Sequence, residues 1–156
     1  MAANARKTHR LKVIKPVYTT LAVAEEARDW FHPDTRVSNS SQVAALFAHL
    51  REESREVFAT VHLDTKNRIL CVETVSIGSL SASIVHPREV FKGVLLSSAA
   101  ALVLVHNHPS GDPTPSRDDL EVTQRLKDAG EILGIRVLDH VILGETHLSL
   151  ADRGLL

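Results

Sequence analysis

The chain predicts a three-layer domain of the α/β or α+β class, with helices packed on a central sheet. Three observations predict it. Apolar, β-branched runs such as VFATVHL, RILCVETVSI and ALVLVH alternate with segments whose apolar residues recur at helical spacing. The 156 residues are 44% hydrophobic and 24% charged, an ordinary mix for a soluble domain with one core. ALVLVH is apolar up to its histidine, the texture of a strand covered on both faces.

Residues 1–37 read as an appendage. They open with a basic arm (Arg6, Lys7, Arg10, Lys12, Lys15) and include AVAEEARDWF, a short helix stopped by His32-Pro33, with Trp30-Phe31 as a packing anchor. A second helix follows: Ser38, Asn39, Ser40 and Ser41 offer N-caps, and Val43, Leu46, Phe47 and Leu50 recur on one face. VFATVHL and RILCVETVSI form a hairpin through the turn Asp64-Thr65-Lys66-Asn67. SASIVH is a further strand. Pro87 opens the helix PREVFKGVLLSSAA from the favoured first-turn position. After ALVLVH, a helix runs from Ser116 to about Leu133, with Leu120, Leu126, Ile132 and Leu133 inward and Gly130 and Gly134 near its end. IRVLDHVILG and THLSL close the chain as strands.

Composition excludes several classes. A net charge of −1 gives no general attraction to nucleic acid or membrane, leaving only a local basic patch as a route to phosphate. No apolar run reaches the roughly 18 residues of a membrane span, and no signal-peptide core follows Met1. The single cysteine, Cys71, cannot form an internal disulfide and reads as a small buried hydrophobe. A reducing, cytoplasmic setting is expected.

The chemistry concentrates in LVLVHNHPSGDPTPSRDDL, 102–120. In extended chain, residues two apart share a side, so His106 and His108 converge and Asn107 faces away. Pro109 holds His108 extended. Two imidazoles at one strand end are a metal-ligand pair. The stiff loop PSGDPTPS turns at Ser110-Gly111 and leads to a helix start, from which Asp119 can point back. Three protein ligands leave a coordination position open, the pattern of a catalytic site. A hydrolase of this kind needs a proton acceptor. Glu56, at the edge of the first core strand, is the best placed acid, but spacing alone does not select it over Glu52, Glu53 or Glu73.

From about Ser38 to Leu156 the chain resembles the RadC-type JAB domain, a branch of the JAMM/MPN+ metalloprotease-like family. That family's pattern is an upstream glutamate, His-x-His, seven residues, Ser, two residues and Asp; here it reads His106-Asn107-His108, PSGDPTP, Ser116-Arg117-Asp118-Asp119. LDTKNR (63–68), SIGSL (76–80), VHPREVF (85–91) and LDHVILG (138–144) also match. The resemblance implies an α/β, three-layer, cytidine-deaminase-like fold with a central mixed sheet over 38–156. It implies one zinc ion on His106, His108 and Asp119, Glu56 as the base that deprotonates water, and Ser116 as donor to an oxyanion. A peptide or isopeptide substrate follows; in eukaryotic relatives the bond is an isopeptide to ubiquitin. The short N-terminal segment resembles that of stand-alone RadC-like proteins, without the helix-hairpin-helix region of longer ones. A second implication is a DNA-repair accessory role, with a structural or vestigial metal.

Plainer readings stand beside these. Ser116-x-x-Asp119 is also capping-box spacing. Glu56 can pair at the surface with Arg51 or Arg55. Asp118, one residue off, should face solvent. Asp139-His140, in mid-strand, either orients a ligand imidazole or makes an unrelated structural bond. His62, His86 and His147 read as half-exposed strand residues. A nucleobase deaminase would need a cysteine pair that this chain lacks. Two histidines and a carboxylate also suit a non-haem iron oxygenase, but the Ser-x-x-Asp spacing and the upstream Glu argue against one.

Overall fold

Period-two alternation in one strand sorts the core. The structure, a computed structural model, describes residues 16–19, 34–78 and 85–156. Strand β3 (Ala101–Asn107) is buried along its whole length. Its odd positions Ala101, Val103 and Val105 pack with Val43, Phe47 and Leu50 of helix α1 (Ser40–Leu46) and the 3-10 turn Ala48–Glu52. Its even positions Leu102 and Leu104 pack with Val90, Phe91 and Val94 of α2 (Pro87–Leu96) and with Val122 and Leu126 of α3 (Arg117–Leu133). The sheet is therefore the middle of three layers.

Around β3 lie β1 (Val57–Leu63), β2 (Ile69–Ile77), β4 (Arg136–Leu143) and β5 (His147–Ser149), in the order β2-β1-β3-β4-β5. The β3–β4 pair is parallel, joined by α3 as crossover, and the other pairs are antiparallel. The sheet is mixed and flanked by helices, as expected. The β1–β2 turn forms at Asp64–Asn67: Asp64 Oδ1 accepts from the N–H groups of Lys66 and Arg68, and Asn67 takes φ 60°. Val37 donates to the Asn67 carbonyl and packs partly against the core.

Several expectations need correction. The first helix, capped by Asn39 from among the four candidates, ends at Leu46 and does not run on to Leu50. Leu120, Ile132 and Leu133 are exposed, at 37%, 86% and 44%. The inward face of α3 is instead Asp119, Val122, Thr123, Leu126 and Gly130. That stripe has regular i, i+3, i+4, i+7 spacing, but two of its members are polar, so an apolar count misses it. His62 is buried and His86 caps α2 rather than lying in a strand, while half-buried Cys71 contacts His62. The helix expected at 22–31 lies outside the described residues, as do 81–84 of the strand expected over 81–86; Val85 and His86 are not in a strand.

Candidate metal centre

The even face of β3 continues into the site. His106, one residue before the end of β3, is fully buried, and His108 follows on the same side, half-buried. Three backbone bonds fix the turn after them: His108 N–H to the Leu143 carbonyl, Gly111 N–H to His108, and Glu145 N–H to Gly111. The 109–116 loop thus rests on the β4–β5 turn. Gly144 permits this approach, because a Cβ there would lie 2.2 Å from the Gly111 carbonyl oxygen.

Ser116 and Asp119 form a full capping box at the start of α3. The Ser116 hydroxyl accepts from Asp119 N–H at 3.2 Å and donates to Asp119 Oδ2 at 2.7 Å. Capping and convergence on the histidines coexist. Asp119 Oδ1 lies 3.2 Å from His106 Nε2, and Oδ2 lies 3.4 Å from His108 Nε2. The two Nε2 atoms are 2.8 Å apart. Asp118 is exposed on the rim.

The hydrogen bonds behind these atoms decide which nitrogens carry protons. Thr123 Oγ1 donates to the Asp119 carbonyl at 2.5 Å, and a carbonyl can only accept. Its other partner, His140 Nδ1 at 2.5 Å, must then donate to it. Burial holds the His140 pKa well below the ordinary value, so the ring is neutral and its Nε2 is bare. That Nε2 accepts from His106 Nδ1–H at 2.7 Å, which leaves His106 Nε2 bare. His108 Nδ1 donates to the Asp112 carbonyl at 2.7 Å, so in the neutral ring, the form that ligates a metal, its Nε2 is bare.

Two proton-free nitrogens and a carboxylate therefore converge. Burial alone would raise the Asp119 pKa, but the two imidazoles, where an Nε2 carries a proton in the absence of a metal, and the Ser116 hydroxyl hold it well below the carboxylate range. Asp119 raises the His108 pKa, whereas burial lowers that of His106. Three acceptors at one point suit a cation. A tetrahedral zinc site with arms of about 2.0–2.1 Å has edges near about 3.3 Å, close to the separations found. His106, His108 and Asp119 can hold a metal ion.

A cleft of about 740 Å³ opens over this point, between the 54–56 segment, Gly78, the loop bearing His108 and the first turn of α3 with Asp119. Glu56 lines it, and its charge acts on both His106 and His108. The antiparallel register explains why a residue so distant in sequence is there. Phe58 pairs with His106, so the same register carried past the strand end sets Glu56 across from His108.

Three further residues bear on the site that sequence reasoning left open or gave no role. His140 was one of two open alternatives; the structure puts it against His106, while neighbouring Asp139 stitches Ser149 and Ala151 to β4. Thr123 gave no signal beyond being a polar residue on a buried helical face. Asn107 faces away from the histidines as expected, but it is fully buried and bonded.

A three-layer mixed sheet whose central strand ends in His-x-His, opposite a helix that opens with Ser-x-x-Asp, defines a JAB-type domain. The RadC-like JAB domain matches residues 37–155, and the chain belongs to that family. It is 54% identical over 124 residues to a UPF0758 protein of Methanosarcina acetivorans, covering 78% of this chain and 54% of the relative. A UPF0758 protein of Syntrophotalea carbinolica is 59% identical over 117 residues, covering 72% and 52%. The chain thus spans about half the length of the curated relatives it matches. Among the described residues, no helix is long and apolar enough to cross a membrane.

Proposed function

We propose that this domain is a zinc-dependent hydrolase of the JAMM type that cleaves peptide or isopeptide bonds. The observation that carries the reading is the convergence of the bare Nε2 atoms of His106 and His108 with the Asp119 carboxylate at the floor of an open cleft. These residues would hold the ion. A bound zinc ion supplies Lewis acidity, lowering the pKa of water toward about 7 and polarising a carbonyl. Glu56, on the cleft wall, is the group that takes a proton from water and passes it to the leaving amine. Ser116 stands beside the same point with its hydroxyl proton on Asp119. To donate to an oxyanion, that hydroxyl must turn away from the carboxylate, which a cation sharing the Asp119 charge makes easier.

The cleft wall bears on the substrate class. Glu56, Asp118 and Asp119 face it against Arg55, and a bound zinc ion would offset that excess of acids, so the lining carries no net pull on a phosphate backbone and suits a neutral peptide. The deciding experiment is metal analysis coupled to a peptide-library cleavage screen, run on wild type beside Glu56→Gln. The reading expects about one zinc per chain in both proteins and cleavage only in the wild type. Equal cleavage by both would remove Glu56 as the base.

A further inference from the structure

The residue between the two histidines faces the opposite side of the sheet, and nothing above assigns it a role. Asn107 is fully buried, and its side chain replaces the backbone ladder where β1 and β3 end. Its Oδ1 accepts from Val57 N–H at 2.7 Å. Its Nδ2 donates to the Arg55 carbonyl at 3.1 Å, with a weaker contact to the Glu53 carbonyl at 3.4 Å. Only one orientation of the amide satisfies both sides, since a flip would set N–H against N–H and oxygen against oxygen. Between the two clamped peptides sits Glu56, whose own carbonyl accepts from Gly78 N–H at 2.8 Å. Residues 53–55 are exposed and outside helix and strand, with the Glu53 N–H bonded back to the Leu50 carbonyl.

We infer that Asn107 is a positioning residue for Glu56. One strand end thus sets both halves of the site: its even face presents His106 and His108, and its odd face fixes the backbone from which Glu56 enters the cleft. The inference rests on the hydrolase reading for what Glu56 does, but the clamp itself is geometric. Side-chain truncation would leave a buried N–H and a buried carbonyl without partners and free the segment that carries the acid.

The test uses the full chain loaded with cobalt(II), whose visible spectrum reports the surroundings of the metal. The pH profile of that spectrum is recorded for wild type, Glu56→Gln, Asn107→Ala and the double variant. Glu56→Gln is expected to displace the profile. Asn107→Ala should displace it by at least about half as much in wild type and not at all in the Glu56→Gln background, because a residue acting through another is non-additive with it. Cobalt affinity in Asn107→Ala should stay within about threefold of wild type, against the roughly 10–100-fold cost of losing a group that orients a ligand. Amide exchange at Val57 should accelerate in Asn107→Ala.

If Asn107→Ala does not fold, Asn107→Asp is read by the same cycle: it keeps the acceptor for Val57 N–H and loses the donor to Arg55. An unmoved profile, or an equal displacement with and without Glu56, would overturn the inference. A profile that Glu56→Gln itself leaves unmoved would overturn both this inference and the role given to Glu56. The two failures are thereby distinguishable.

Discussion

His62 in β1 and His106 in β3 are both buried on the same face of the sheet, and of the two only His106 belongs to the candidate site. Their tautomers are the same. Ser97 Oγ donates to the Val94 carbonyl, so His62 Nδ1 donates to Ser97, and its bare Nε2 accepts from the Thr60 hydroxyl at 2.9 Å. His106 likewise spends its Nδ1 proton, on His140. The difference lies in what the bare nitrogen meets. That of His62 meets a hydroxyl that can donate, with the Glu73 carboxylate farther off at 3.6 Å. That of His106 meets only another bare nitrogen and a carboxylate. Burial does not separate a core histidine from a ligand; proton accounting does.

The largest effects should fall on one side of this comparison. Asp119→Ala is expected to abolish stoichiometric zinc binding, whereas His62→Asn and Asp118→Ala should each retain about one zinc per chain by metal analysis. Equal loss in Asp118→Ala would mean that the ligand set is misassigned.

The hydroxyls behind the two rings give a finer contrast. Thr123→Val removes the acceptor that sets the His140 tautomer. Zinc affinity, measured by competition with a chromophoric chelator, should fall about 10–100-fold, with Thr123→Ser restoring it. Thr60→Val, which removes the donor to the His62 Nε2, should cost stability and leave zinc affinity as in wild type.

A third change tests the seat of the His108 loop. Gly144→Ala places a methyl group 2.2 Å from the Gly111 oxygen, so backbone must move. A loss of about 1–3 kcal/mol in denaturant unfolding is expected, together with weaker zinc binding. Unchanged values for both would show that the loop does not need this contact.

The smallest effect is a pH dependence. Burial lowers the His62 pKa from 6.5 to about 4, so the folded protein keeps the ring neutral while the unfolded chain protonates it. That contribution is complete above about pH 6.5 and is lost as pH falls toward 4. Burial raises the pKa of Glu73, which lies 3.6 Å from His62 Nε2, and this works in the opposite sense. Melts of the metal-free protein between pH 7 and 5 should therefore show His62→Asn losing less stability than wild type. An equal or greater loss in the variant would contradict the role given to this histidine.

Much of the site was legible because its parts are local. His106-x-His108 needs only the strand period, and Ser116-x-x-Asp119 only the first turn of a helix. The parts that were not legible depend on register between distant segments. His140 reaches His106 because β4 runs parallel to β3 with Leu104 opposite His140. Glu56 reaches the cleft because β1 pairs with β3 around Phe58 and His106. Neither pairing leaves a mark in residue spacing. The inward face of α3 was misread for a related reason: Asp119 and Thr123 turn inward to serve the site, so Leu120 beside Asp119 lies off the buried stripe, while Ile132 and Leu133 are exposed at the helix end.

The central claim is a ligand set, and a structure of the zinc-loaded protein tests it most directly. The account predicts one ion per chain, bound by the Nε2 atoms of His106 and His108 and by the Asp119 carboxylate, with Nδ1 of His106 still bonded to His140. Zinc held through Nδ1 of either ring, or seated away from Asp119, would contradict it.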